Sequence, residues 1–204
     1  MTLAATADLF PDSLPGAGLL PERPVAEASV PARLLIDSLA TPIGEARLVT
    51  DEEGRLRAFD WDDYDPRLRR LLGDHYGALP VETGEAPAAM RRTLAAYFAG
   101  AGDPDDILEL PWATAGSLFQ RRVWTMLQTI PSGRTLSYGA LAQRLGMPVG
   151  AARAVGLANG SNPVAVVVPC HRVIGADGSL TGYGGGLHRK RWLLRHEGAT
   201  FRDR

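Results

Sequence analysis

Residues 164–174, reading VAVVVPCHRVI, constrain the chain more than any other stretch. Val166, Val167 and Val168 form an apolar, β-branched run that reads as a buried strand or an extended buried segment. Pro169 has no N–H to donate and a fixed φ, so it ends that regular structure. Directly after it stands Cys170, the single cysteine of the 204 residues. A thiol is thus placed where a rigid buried segment gives way to a turn. Thiols attack as thiolates and need a base or a positive charge close by. His171 and Arg172 follow at once, but neighbours on an extended chain point to opposite sides, so only a tight turn after Pro169 pairs Cys170 with His171. The competing reading is an inert buried thiol.

One cysteine excludes an internal disulfide and argues against a cysteine-based zinc site, and it suits a reducing cytoplasmic compartment. No run is apolar enough to span a membrane, and the N-terminus lacks the pattern of a secretory signal. The formal net charge of −1 hides a division. From Ser117 onward lie 12 of the 22 Lys/Arg but 3 of the 23 Asp/Glu, a balance of +9 that leaves −10 for residues 1–116. A basic half of this size points to a polyanion such as DNA.

Taken in order, residues 1–30 are rich in proline and alanine without periodicity and read as a disordered tail. Residues 33–39, 46–50 and 56–61 read as three strands of an antiparallel meander, with turns at 41–44 and 51–54. Residues 66–75 and 87–98 read as helices, the second ending near Gly100. Asp60, Asp62, Asp63 and Asp65 read as a solvated loop rather than a metal site, since no histidine or repeated ligand spacing accompanies them. Residues 31–110 thus form an N-terminal α/β unit, and the turn-rich stretch 101–116, its last part (111–116) above all, the connector to a unit at 117–200.

That second unit begins with a helix over 117–129, with Trp124 on its buried side. Helices over 135–145 and 149–159, separated by Gly146-Met147-Pro148, read as helix-turn-helix. The latter carries Gly150, Ala151, Ala152, Ala154, Gly156 and Ala158, with Arg153 as its one long side chain. Such a slim helix either packs closely on a neighbour or enters a narrow groove. Residues 176–178 form a hairpin-type turn, and Gly182 and Gly184–Gly186 give a close-approach loop around Tyr183. The loop lacks P-loop spacing, which excludes a nucleotide site. A last helix over 187–196 brings Glu197 to its end.

These motifs together resemble a known family. Pro169-Cys170-His171-Arg172-Val173 is similar to the acceptor motif of the O6-alkylguanine-DNA alkyltransferases, or methylated-DNA–protein-cysteine methyltransferases. Arg153-Ala-Val-Gly156 resembles the family's arginine finger, and Asn162-Pro163 its asparagine turn. Thr181-Gly-Tyr183-Gly-Gly-Gly186, the run 190–198 and Tyr138 within Ser-Tyr-Gly-Ala-Leu-Ala match further elements. Six motifs in order over 117–198 make a specific signal, and residues 34–76 extend the likeness to the bacterial, single-activity type.

The resemblance implies an α+β fold: a ribonuclease H-like N-terminal domain with a small antiparallel sheet, then a mainly helical winged helix-turn-helix domain. It implies stoichiometric alkyl transfer from O6-alkylguanine, with O4-alkylthymine an open second substrate, to Cys170. In this scheme His171 takes the thiol proton through a water and Glu197 orients the histidine. Asn162 holds the turn and Tyr138 donates toward the base. Arg153, Ala152, Gly156, Tyr138 and Arg172 are the implied DNA contacts, in the minor groove of duplex DNA with the base flipped out. Pro169, Val173, Tyr183 and Gly184 are the implied base-binding positions; some relatives carry serine where this chain has Gly184. No cofactor, metal or membrane is implied, and a monomer is the expectation. Three rivals remain: an alkylated-DNA-binding module without transfer, a DNA-binding regulator, and a cysteine hydrolase using Cys170, His171 and Glu197.

Overall fold

The structure, a computed structural model, describes residues 29–203. The expected tail therefore lies almost wholly outside the described residues. Strands β1 (Leu34–Thr41), β2 (Gly44–Thr50) and β3 (Leu56–Trp61) form the expected antiparallel meander. Its first turn closes because the Thr41 hydroxyl donates to the Gly44 carbonyl at 2.5 Å and accepts from Ile43 N at 3.2 Å. Asp51 closes the second, accepting from the amides of Glu53 and Arg55 at 3.1 and 2.8 Å. A strand absent from the sequence reading, β4 (Val81–Thr83), pairs parallel with β1 and gives the order β3-β2-β1-β4.

Helix α1 (Asp65–Tyr76) carries Leu68, Leu72 and Tyr76 onto one face of this sheet, against Leu34, Val49 and Ala58. The other face, with Leu48, Phe59 and Trp61, meets Leu94, Tyr97 and Phe98 of α2 (Ala88–Ala99). That second cluster continues without a break through Trp124, Leu141, Val155 and Val164–Val168 to Leu193, so both halves of the chain share it. Gly100 ends α2 in the left-handed region, φ 68°, where a side chain would be strained.

The acidic cluster meets its expectation except at Asp60. Asp60 is fully buried and paired with Arg67, while Asp62 pairs with Arg47, Asp63 with Arg189 and Asp65 with Arg69. Asp62 and Asp63 are exposed, as a solvated segment requires, and only Asp60 is buried; the ion pairs fix the exit from β3. Asp60 sits in a strand whose six residues are all buried, and such a carboxylate requires a partner.

Ser117 begins α3 (Leu118–Leu127) with a reciprocal capping box to Gln120. Trp124 is buried as expected, its indole N–H donating to the Ala158 carbonyl at 2.8 Å. The next helix starts later than the sequence suggests. Leu136–Ser137 is a short strand, β5, and α4 runs Tyr138–Arg144 with Ser137 as its N-cap. The slim helix opens as a 3-10 turn (Val149–Ala151) and continues as α5 (Ala152–Gly160). Strand β6 (Val173–Ile174) pairs parallel with β5, and α6 (Leu187–His196) closes the fold. Among the described residues no helix is long and apolar enough to cross a membrane.

The valine run is buried, but it is not a strand. Val164 makes one bridge to Phe59. Then Val167 N donates to Ala165 O at 2.9 Å around Val166, whose φ of 70° is the one positive value outside glycine among the described residues. This is a γ-type turn, rare for a β-branched residue. Cys170 N in turn donates to Val168 O at 2.7 Å across Pro169, with φ −79° and ψ 62°. That is the inverse γ-turn, which the proline ring favours.

Candidate active site

Two successive tight turns therefore deliver Cys170 into a 3-10 turn, Cys170–Arg172, rather than onto a strand end. Asn162 fixes them. Its Nδ2 donates to Val168 O at 2.8 Å and its Oδ1 accepts from Val164 N at 3.0 Å. The 3-10 turn puts Cys170 and His171 in one buried neighbourhood, with Cys170 6% exposed and His171 fully covered. Burial raises the Cys170 thiol above its ordinary range, against opposing contributions from Asn162, Arg67 and Lys190. At rest it is a protonated thiol, which calls for a base.

His171 Nε2 lies 3.0 Å from Glu197 Oε1. A carboxylate only accepts, so Nε2 carries the proton and the neutral ring leaves Nδ1 as a bare acceptor. Nδ1 is buried and has no hydrogen-bond partner in the protein. Burial lowers the His171 pKa, with Arg172 and Lys190 adding to it and Glu197 opposing, so the ring is neutral at pH 7 and able to take a proton. For Glu197 burial acts upward, but His171 and Arg172 hold the carboxyl well below its ordinary range.

Arg172 corrects an expectation. Its guanidinium is fully buried, donating to Glu197 from Nε at 3.0 Å and Nη2 at 2.9 Å, with Asp105 3.2 Å from Nη1. A side chain locked this way does not reach DNA. The other expected DNA-facing residues lie on α5: Arg153 is exposed, Ala152 and Gly156 half-buried. Leu157, one turn beyond Arg153, is 72% exposed. The Tyr138 ring packs beside Gly156, and its hydroxyl shares a 2.9 Å hydrogen bond with Thr181 Oγ1.

A pocket beside Cys170 is lined by Arg67, Asn159, Gly160, Tyr183 and Gly184. Pro169 and Val173, at the two ends of the 3-10 turn, are buried and do not line this pocket, and the Val173 carbonyl accepts from Lys190 Nζ at 2.6 Å. Burial lowers the Lys190 pKa to about 8, against the opposing effect of Cys170. Tyr183 keeps its hydroxyl buried without a protein partner. A Cβ on Gly184 would stand 2.5 Å from the Arg67 guanidinium, so a side chain there would have to displace it.

Arg67, Lys190 and Tyr97, whose hydroxyl donates to Glu197 Oε1 at 2.8 Å, were not singled out by the sequence. The usable signals were a carboxylate, Asp60, inside an apolar strand and a lysine on the buried side of α6. Both demand partners.

Residues 118–199 match the family model of the 6-O-methylguanine DNA methyltransferase DNA binding domain. The methylated-DNA–protein-cysteine methyltransferase of Shigella flexneri is 52% identical over 168 residues, 81% of this chain and 96% of that protein. The chain belongs to this methyltransferase family. The Mycolicibacterium paratuberculosis methyltransferase of the same name is 62% identical over 139 residues, 65% of this chain and 81% of its own. Among solved methyltransferases, the Mycobacterium tuberculosis OGT in complex with DNA superposes with a TM-score of 0.65 at 40% identity, covering 80% of this chain and 92% of that one. The O6-methylguanine methyltransferase of Pyrococcus kodakaraensis gives 0.58 at 25% identity, over 81% and 99%.

Proposed function

We propose that the protein repairs DNA by moving a methyl or larger alkyl group from O6 of guanine to Sγ of Cys170, once per molecule. The carrying observation is the bare, buried Nδ1 of a neutral His171 whose other nitrogen is held by Glu197, next to a thiol that burial keeps protonated. The S–C bond forms as the C–O6 bond breaks. The thiol proton passes to His171 through a water, and the departing guanine is protonated with help from the Tyr138 hydroxyl, so that guanine and a thioether result. A thioether is inert to both neighbours and the chain has no second cysteine to exchange with, which supports a single turnover.

In this reading residues 117–200 form the acceptor and DNA-binding unit, with a winged helix-turn-helix arrangement, and 31–110 a ribonuclease H-like support. Arg153, Ala152 and Gly156 enter the minor groove, Arg153 fills the gap left by the flipped nucleotide, and the base rests against Pro169, Val173, Tyr183 and Gly184. Apart from Arg153, the exposed side chains of α5, Ala154 and Leu157, carry no hydrogen-bond donor, which supports a groove-entering helix over a base-reading one. The protein acts as a monomer in the cytoplasm.

The test is intact-protein mass spectrometry after incubation with duplex DNA holding one O6-methylguanine. One added methyl per protein, mapped to Cys170 and absent in Cys170→Ser, is expected. Repaired DNA with an unchanged protein mass would overturn the acceptor role.

A further inference from the structure

Glu197 carries more than an orienting carboxylate needs. Its Oε1 accepts from His171 Nε2 at 3.0 Å, Arg172 Nη2 at 2.9 Å and the Tyr97 hydroxyl at 2.8 Å. Tyr97 belongs to α2, 100 residues away in sequence and outside the stretch matched by the family model. It is 2% exposed, and Glu197 is the hydrogen-bond partner of its hydroxyl. Phenylalanine would meet the packing demand at this position, where the ring stands edge-on to Phe98 at 5.1 Å and to His196 at 5.2 Å. The hydroxyl meets a different demand. The Tyr97 carbonyl also accepts from His196 Nε2 at 2.5 Å, so one residue of α2 bonds two consecutive side chains at the end of α6.

We propose that Tyr97 is a positioning residue for alkyl transfer, acting through Glu197 to keep His171 neutral and free to accept the thiol proton. The inference rests on the reading of Cys170, His171 and Glu197 given above. A hydroxyl bonded to Oε1 draws negative charge from the very oxygen that faces the imidazole. Without it, that oxygen binds an imidazolium proton more tightly and the basicity of His171 rises. Besides His171, the charged group facing the carboxylate is Arg172, with Asp105 behind it from the Pro104–Glu109 turn. Lys190 of α6 acts on His171, while His196 of α6 and Tyr183 of the glycine loop lie near Tyr97. Replacing Arg172 would strand a buried charge, whereas Tyr97→Phe removes a neutral donor and keeps the ring.

The experiment measures single-turnover methyl transfer from about pH 4 to about pH 9, a span extended below an ordinary imidazole because burial lowers the His171 pKa, for the unaltered protein, Tyr97→Phe, Glu197→Gln and the double variant. Tyr97→Phe is expected to move the acid limb up by about one pH unit, roughly the worth of one hydrogen bond to a charged group. On that limb the rate then falls up to about tenfold while the high-pH plateau stays within about twofold. In the Glu197→Gln background the phenylalanine should shift nothing, because no charge is left to modulate. Fluorotyrosine at position 97, a stronger donor of nearly the same shape, should move the limb the other way and covers the case where Tyr97→Phe folds poorly. A loss uniform across pH, or an unmoved limb in both variants, overturns the proposal. A Glu197→Gln protein of unaltered rate and pH profile would overturn the reading of the site as well.

Discussion

Arg67 Nη2 donates to the carbonyl of Asn162, 95 residues further along the chain, at 3.2 Å, while Nη1 of the same guanidinium is bonded to buried Asp60. The asparagine that shapes the turns before Cys170 is thereby tied to the N-terminal sheet. Arg67→Ala leaves Asp60 buried and unpaired, which should cost roughly 3–5 kcal/mol at neutral pH. Burial already raises the Asp60 pKa, against Arg67. In the variant the folded state holds a proton that the unfolded state releases, so stability should fall as pH rises from about 4 to about 8. Urea titrations across that range check the slope.

Gly184 and Gly185 test the same joint from the other side. A Cβ at 184 meets the Arg67 guanidinium at 2.5 Å, and one at 185 meets the Trp61 indole at 2.4 Å. An arginine end can swing away, although three hydrogen bonds are lost with it, whereas the buried indole has nowhere to go. Gly185→Ala should destabilise more than Gly184→Ala, both within the roughly 1–3 kcal/mol of overpacking. In an Arg67→Ala background the cost at 184 should largely vanish, read as a double-mutant cycle of denaturation midpoints.

His171→Ala should slow transfer by about 10²–10⁴-fold near pH 7, the usual share of a general base. The thiol pKa is raised by burial, so the thiolate forms unaided only at alkaline pH. The deficit should therefore shrink steadily as pH climbs. A pH-independent deficit would mean that the histidine serves packing alone.

Arg153→Ala should weaken repair in duplex DNA far more than reaction with the free alkylated base, because an exposed side chain on α5 contributes nothing to the thiol's surroundings. Equal losses on the two substrates would remove its role as a gap filler. Rates on both substrates, measured on one protein preparation, settle the ratio.

Lys190 supplies the alkaline counterpart. Its folded pKa of about 8 lies below its unfolded value, so above pH 8 the unfolded chain binds a proton that the folded one lacks. Stability should rise with pH between about 8 and about 10.5, by on the order of 3 kcal/mol. Lys190→Met should abolish that rise in a pH series of urea melts.

The first three strands and the long helices were legible because apolar spacing and glycine turns agree along the chain. Strand β4 was not: its three residues are all exposed and show no alternation. The valine run misled for a physical reason. Its residues suit a strand, but Asn162 bonds the carbonyl and amide groups a strand would have used and folds the segment into γ-turns. Cys170, His171 and Glu197 were legible as motif members. Arg172 was misplaced because its partners, Glu197 and Asp105, are remote in sequence. Tyr97 and Arg67 were hidden for the same reason, since local patterning shows only a core face and a solvent face.

Strand β3 lies at the margin of its sheet, and its outer hydrogen-bonding groups are taken by the chain near Trp112 and by residues 163–165. The second of these covers is the very turn that presents the nucleophile. Loosening that turn bares the Phe59 amide and carbonyl on an apolar edge strand, the kind of surface that recruits other chains into aggregates. Solubility and chemistry are thus stitched to the same few residues: damage to the acceptor turn is expected to surface as precipitation on storage as well as lost repair.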